Sequence, residues 1–413
     1  MGRLVHNDIV MLLTAISVML IFSRIAAELS RKIKMPAVMG EILVGILLGP
    51  TVLGTISPEI FDKLFPHQGS AAVAMDGIVS LSVIMLLFVS GLEVQLPLVL
   101  KHGKVAVYTS IGSMIIPFIT GFAVAWYFPG VFQPTDQKMH LIFSLFLGTA
   151  LSISALPVIA RILMDMNLFK TRMGMIIIAS AMFNDLAGWL IFSVILSLMN
   201  KDPGAFHVGY TVLYILGFGL LMLTAGKRVI NKTLPWIQTR LSWPGGVLSA
   251  CLGACFLCAA FTEYIGIHAI LGAFIAGIAF GDSVHLHERA REIIHQFVTN
   301  IFAPLFFVSI GLKVNFIANF DLIITLIILV LAFSGKVAGA SIGAYLGGLP
   351  GRTSLAVGFG MNARGAMEII LATLALNAAL ISVPVFVALV IMALVTSMTS
   401  GPLMKKFTGE TEK

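Results

Sequence analysis

From Met173 to Met199 the chain carries one formal charge, Asp185, inside the string MFNDLAGW. The rest of that stretch is apolar or neutral, and it is long enough to cross the hydrocarbon core of a bilayer as a helix. Runs of this kind recur along the whole chain, and they leave few folds open. A soluble domain has charged residues at roughly a quarter of its positions. Here 11% of the 413 residues are charged and 58% are hydrophobic, too few charges to cover a water-facing surface. A membrane β-barrel would alternate apolar and polar residues, whereas these runs are continuous. The composition and pattern specify an all-α, polytopic membrane protein. No cleavable leader precedes the first run, so the first helix is expected to be retained.

Thirteen spans are expected, near 8–30, 36–55, 75–94, 104–128, 140–163, 172–199, 206–229, 244–263, 266–281, 297–313, 320–347, 353–378 and 382–403. Of the 26 Lys and Arg residues, 19 fall at the ends and loops of one side, among them Arg24, Arg31, Lys101, Lys170, Arg240 and Lys405. The other side holds five: Arg3, Lys63, Lys138, Lys201 and Lys313. The basic side is the cytoplasmic one. The expectation is therefore a multi-pass protein of the cell (inner) membrane, with the N-terminus outside and the C-terminus in the cytoplasm. Topology accounts for the net charge of +7, and nucleic acid is not required as a partner.

Cys251, Cys255 and Cys258 lie at i, i+4 and i+7 on one face of the eighth span. A metal site needs further ligands in a polar surround, and the neighbours are Leu, Ala and Phe. They are read as small residues packing a helix interface. No disulfide framework and no cofactor are implied.

The chain also resembles itself. AVMGEILVGILLG, from Ala37, shares its Ala and Gly spacing with AILGAFIAGIAFG, from Ala269; LLFVSGLEV, ending at Val94, echoes LFFVSIGLKV, ending at Val314. Both pairs are about 220 to 232 residues apart and in the same order. Two related halves are expected, at 1–200 and 236–403, joined by a linking seventh helix at 201–235 and followed by a cytoplasmic tail at 404–413. An odd linking helix turns the second half upside down relative to the first. Inverted repeats of this kind build many secondary transporters, with the ion site near the membrane midplane.

Spans 5 and 12 occupy corresponding places in the halves, and both contain helix breakers. Span 5 reads GTALSISALPVIARIL, with Pro157 in mid-span and hydroxyls on Thr149, Ser152 and Ser154. Span 12 reads GFGMNARGAMEII, with Gly358, Gly360 and Gly365 around Asn362 and Arg364. Irregular backbone at membrane depth survives only where protein or a water-filled cavity surrounds it. A pair of discontinuous helices in equivalent positions points to a binding site; the alternative for Pro157 is a simple kink in a packed helix.

Four ionisable side chains lie deep in the spans: Asp185, Lys336, Arg364 and Glu368. Each costs roughly 2.5–3.5 kcal/mol or more at the bilayer centre and is read as functional by default. Asp185 escapes that cost either as the neutral acid or as a carboxylate with a cation beside it. An oxygen site that accepts a proton or a cation by turns is the minimum chemistry of an exchanger. The hydroxyls of Thr149, Ser152 and Ser154, the unwound carbonyls and the amide oxygen of Asn184 would complete the cation shell. The competing reading makes Asp185 a buried acid paired for stability. Lys336 is open between proton carrier and structural counter-charge. Arg364 and Glu368 are four apart, so a local ion pair is expected, one that also neutralises half-helix ends. Glu41 and Glu93 are read as interface acids, and His285, His287 and His295 as members of a solvated loop.

The strings PAVMGEILVGILLGPTVLG, FVSGLEV, ALSISALPVIARIL, FNDLAGW, AILGAFIAGIAFG and NARGAMEIILA resemble, in order, the monovalent cation/proton antiporter-2 family. Its members are sodium/proton exchangers, Kef-type potassium/proton antiporters and plant endosomal cation exchangers. The resemblance covers nearly the whole chain. It implies thirteen helices with two crossed, discontinuous ones, a dimerising scaffold near 1–100 and 244–315, and a core near 104–199 and 320–403 that moves as an elevator. Asp185 then stands at the family's cation- and proton-binding aspartate, and Lys336 at the lysine of the facing helix. One departure matters: electrogenic relatives carry two adjacent aspartates, and this chain has Asn184 before Asp185. A single titrating acid implies one cation for one proton, an electroneutral exchange. Kef-type relatives add a nucleotide-binding regulatory domain, which is not expected of a sequence that closes on KKFTGETEK.

The function expected is antiport of Na+, K+ or Li+ against H+ by a homodimer in the lipid bilayer, without enzyme chemistry. A sodium-coupled solute symporter would need more polar or aromatic lining than Leu151, Ile153 and Leu156 supply. A cation channel or signalling module would show a filter-like carbonyl loop or an acidic ring, and neither is found. There is no HExxH, and no GxSxG at a plausible place for an enzyme.

Overall fold

Hydrocarbon offers no hydrogen-bonding partners, so each segment must close its own backbone ladder. The chain does so as helix: 84% of the described residues are helical, with no strand among them. The computed structural model describes residues 5–32, 35–66, 68–94, 103–132, 139–166, 168–169, 171–199 and 205–408. The two chain ends used for the topology expectation, with Arg3, Lys34, Lys101, Lys138, Lys170, Lys201, Lys413 and the second half of the 404–413 tail, lie outside the described residues.

In chain order the main helices are α1 (His6–Lys32), α2 (Ala37–Leu48), α3 (Ser70–Glu93), α4 (Gly103–Tyr127), α5 (His140–Ser152), α6 (Leu156–Asp165) and α7 (Arg172–Met199). Then come α8 (Ala205–Leu221), which continues through a π turn at Met222–Gly226 into α9 (Lys227–Arg240), α10 (Gly245–Tyr264), α11 (Ala269–Gly281) and α12 (Glu288–Phe297). A second π turn at Val298–Phe302 leads to α13 (Ala303–Lys313), followed by α14 (Leu322–Leu346), α15 (Gly351–Met361), α16 (Ala366–Asn377) and α17 (Val383–Phe407). Among the described residues, ten helical segments are long and apolar enough to cross a membrane, and three shorter apolar ones accompany them. Two expected segments are longer than their apolar runs. The linking helix continues past 235 to Arg240 with Pro235 inside it, and the amphipathic string ERAREIIHQF extends the tenth span at its start.

The chain divides into two compact units, Met1–Gln95 with Asp202–Ala318, and Leu96–Lys201 with Asn319–Lys413. The first unit is built on glycine contacts that the two similar strings make alike. A Cβ on Gly40 of α2 would strike Ser30 Oγ of α1 at 2.7 Å, and one on the equivalent Gly272 of α11 would meet the Cys258 carbonyl carbon of α10 at 2.7 Å. One turn on, a Cβ on Gly45 would stand 3.0 Å from Gly311 Cα of α13, and one on Gly277 would stand 2.9 Å from Gly91 Cα of α3. Backbone-to-backbone contact at this range suits lipid, where helices associate by packing rather than by expelling water. Cys251 and Cys255 pack in the apolar core of this unit, with Phe88, Phe280 and Val298. In the second unit α4 and α14 approach through Gly112, Gly339 and Gly343, a Cβ on Gly112 standing 3.2 Å from Gly343 Cα. Outward faces stay apolar: Leu13, Ile21, Phe22, Ile25 and Leu29 of α1 are exposed, as a lipid-facing surface requires.

These contacts predict an asymmetry among glycines. Gly311→Ala drives a methyl into the Gly45 backbone and should lower stability by about 1–3 kcal/mol through overpacking. Gly77→Ala on α3, where a Cβ meets nothing within 4 Å, should leave it unchanged or slightly raised. Thermal unfolding of the purified variants in detergent checks the ranking.

Candidate functional site

Two helices of the second unit are broken, and the breaks meet. α5 ends at Ser152 and α6 begins at Leu156; α15 ends at Met361 and α16 begins at Ala366. The Ala155 amide donates to the Ala363 carbonyl at 3.0 Å. Ser154 Oγ donates to the Met361 carbonyl at 3.0 Å. The two interruptions thus cross and satisfy part of each other's exposed backbone. Gly365 lies at the close approach, where a Cβ would sit 3.2 Å from Ala155 Cβ.

Ending a helix leaves its last four carbonyls without intrahelical donors. In α5 every one of them is taken up. The Thr149 carbonyl accepts from Ser152 Oγ at 2.8 Å. The Ala150 carbonyl accepts from Arg364 Nη1 at 2.8 Å, and the Leu151 carbonyl from Arg364 Nη2. The Ser152 carbonyl accepts from Lys336 Nζ. Two buried cations therefore cap the negative end of one half-helix, the favourable sense for the helix dipole. Arg364 Nη1 also lies 3.1 Å from Glu368 Oε1, and Glu368 occupies the first turn of α16, where the dipole favours an acid. Ser397 of α17 holds the second break, accepting from the Arg364 amide at 3.2 Å and donating to the Arg364 carbonyl.

Asp185 sits halfway along the unbroken α7 and is 1% exposed. Lys336 of α14 is fully buried as well, as are Arg364 and Glu368 of the same unit. Asn184, also fully buried, connects α7 to Lys336. With its oxygen towards Lys336, the amide accepts from Nζ at 3.1 Å and from Ser113 Oγ at 2.8 Å, while its nitrogen donates to Ser110 Oγ at 2.8 Å and the Ser110 carbonyl at 3.2 Å. The reverse orientation would set two donors, the amide NH2 and the ammonium, against each other. The hydrogen-bond network therefore selects the oxygen-in orientation.

Several expected site residues have roles other than those the sequence suggested. Pro157 stands in the first turn of α6, where its missing N–H costs no helical bond; the break precedes it, at Ile153–Ala155. Gly358 and Gly360 do not break a helix either. Both are inside α15 and serve close packing, Gly358 against Ser341 of α14 and Gly360 against Met404 and Ile177. Asn362 marks the end of α15 and is fully buried, and neither of its amide atoms meets a hydrogen-bonding partner among the described residues. Arg364 caps the other broken helix rather than its own, because it lies in the break and reaches across the crossing. The Asn184 oxygen is committed to Lys336 and Ser113, which removes it from the expected cation shell. Thr149, Ser152 and Ser154 are all buried at or beside the first break, each donating its hydroxyl proton to a carbonyl and leaving oxygen lone pairs available. Ser110, Ser113 and Ser397 escaped the sequence analysis; the only signal was polar residues spaced three apart in VYTSIGS. His295 Nε2 stands 3.2 Å from Glu93 Oε1, a contact between a histidine expected in a solvated loop, and found on α12, and an acid read as interfacial.

Residues 16–406 match the family described as "Sodium/hydrogen exchanger, transmembrane". The Na(+)/H(+) antiporter NhaS4 of Synechocystis sp. is 29% identical over 405 residues, 97% of this chain and 98% of that protein. The Na(+)/H(+)-K(+) antiporter GerN of Bacillus cereus is 28% identical over 401 residues, 96% of each chain. Cation/H(+) antiporter 20 of Arabidopsis thaliana is 31% identical over 409 residues, but this chain spans only 48% of its length. The sodium proton antiporter MjNhaP1 from Methanocaldococcus jannaschii shares the fold, with a TM-score of 0.65 over 97% of this chain and 98% of that one at 17% identity. With a match that runs through nearly all of its helices, the chain belongs to the sodium/hydrogen exchanger family of multi-pass membrane antiporters.

Proposed function

We propose that the protein exchanges a monovalent cation, Na+ or K+, for H+ through a single-carboxylate site at Asp185. The observation that carries this reading is a fully buried acid on an unbroken helix, in a unit whose two neighbouring helices are broken and crossed. Asp185 binds a proton or a cation in turn, and the hydroxyl oxygens of Thr149, Ser152 and Ser154 with the Ile153–Ala155 backbone complete the cation's oxygen shell. Arg364, Glu368 and Lys336 fix the half-helix ends between which the cation passes. Names of relatives support the ion pair: they are described as exchanging Na+, K+ or an unspecified cation against H+.

The remaining architecture is part of the same proposal. Thirteen spans form two inverted halves, a view supported by the matched glycine contacts of α2 and α11. The first unit acts as the scaffold of a homodimer, and the second moves as an elevator that exposes Asp185 to either side of the membrane. The N-terminus lies outside, and the C-terminus in the cytoplasm. With Asn184 unable to ionise and Lys336 tied to its oxygen, one carboxylate titrates and exchange is electroneutral, one cation for one proton.

Proteoliposomes carrying a pH dye test the site with Na+, Li+ and K+ in turn. Asp185→Asn should abolish cation-dependent proton movement, a loss of at least about a hundredfold given that the carboxylate proposed to bind both ions is gone. Full exchange by that variant would refute the assignment. Electroneutral exchange predicts rates indifferent to an imposed membrane potential; a clear voltage dependence would remove the stoichiometry and leave antiport standing.

A further inference from the structure

The amide of Asn184 is held from two sides by α4. Ser110 and Ser113, both fully buried, lie one turn apart and bracket it at 2.8 Å each, Ser110 Oγ receiving its NH2 and Ser113 Oγ donating to its oxygen. Ser110 Oγ, which accepts from the amide, lies 3.5 Å from the Ser180 carbonyl of α7, towards which it can donate, while Ser113 spends its one hydroxyl proton on the Asn184 oxygen. An asparagine side chain turns freely about its last torsion unless its surroundings forbid it. Here the turn would exchange an acceptor for a donor opposite the Lys336 ammonium.

We infer that Ser110 and Ser113 are positioning residues that lock the Asn184 amide oxygen onto Lys336 and so keep the lysine's charge from competing with the transported cation at Asp185. This rests on the exchange reading of Asp185. The ammonium has three donors. In the structure the Ser152 carbonyl takes one and the Asn184 oxygen another. Release of the amide removes one neutral acceptor. The attraction of Lys336 then falls more heavily on the buried acids of this unit, Asp185, which follows Asn184 on α7, and Glu368. A lysine drawn to Asp185 is an internal competitor for the cation. The consequence is weaker cation binding, although neither serine touches the cation.

Ser113→Thr and Ser113→Val are isosteric and differ only in the hydroxyl, so their comparison separates hydrogen bonding from packing. Cation KM is measured in proteoliposomes, and cation binding by the rise of thermal unfolding temperature with added NaCl or KCl. Ser113→Val should raise the apparent KM and the cation dissociation constant about fivefold over Ser113→Thr, the worth of one hydrogen bond. Adding Lys336→Gln, or Lys336→Met as a second way to remove the charge, should abolish the difference between the two Ser113 variants. Ser110→Ala should behave like Ser113→Val. The inference is overturned if Ser113→Val and Ser113→Thr bind cation equally. It is also overturned if their difference persists without the Lys336 charge, since the hydroxyl would then be a ligand of the cation itself. Retained exchange in Asp185→Asn would instead sink the site assignment, whatever the serine variants do.

Discussion

Four carbonyls at the end of α5 govern the design of this unit. A helix that stops inside a membrane leaves polar groups where no water can reach them freely, at a cost of several kcal/mol each. The protein meets that cost with Ser152, Arg364 and Lys336, which between them take all four. The same two cations would be prohibitively placed if they were alone in hydrocarbon. Helix end and buried cation solve each other's problem, and neither is tolerable without the other. Glu368 and Ser397 complete the arrangement by holding Arg364 from the side of the second break.

That mutual dependence sets the crossing of the second unit apart from the glycine contacts between helices of the first. Where α2 meets α13 and α11 meets α3, the backbones touch. Such contacts have few side-chain degrees of freedom and resist change. The crossing in the second unit relies on longer, charged side chains and on backbone that is not helical.

The general plan was legible from residues because membrane burial writes strong signals. Apolar runs located the helices, and the spacing of Ala and Gly in two matched strings located the contacts that α2 and α11 make. Asp185, Lys336, Arg364 and Glu368 stood out for their cost in hydrocarbon. What stayed hidden was direction. Nothing in NARGAMEII says that Arg364 reaches the carbonyls of α5 rather than those of its own segment; only the crossing of the breaks decides it. Pro157 is conspicuous in sequence yet stands after the break, since a proline in a first helical turn is consistent with the helix it opens. Gly358 and Gly360 gave the same false emphasis, because glycine marks close packing as readily as it marks a break. Ser110 and Ser113 were silent, hydroxyls being common on buried membrane helices.

Asn184 shows how one substituted atom changes what a neighbouring charge can do. A carboxylate has two equivalent oxygens and presents an acceptor whichever way it turns. An amide presents an acceptor on one side and a donor on the other, so its usefulness to Lys336 depends on orientation. A site with Asn before Asp185 therefore needs something to set the amide, which a second aspartate would not. The α4 serines and the Ser110 carbonyl fill that need at 2.8 to 3.2 Å. The neutral amide leaves Asp185 as the acid of the pair, and the oriented amide keeps Lys336 occupied.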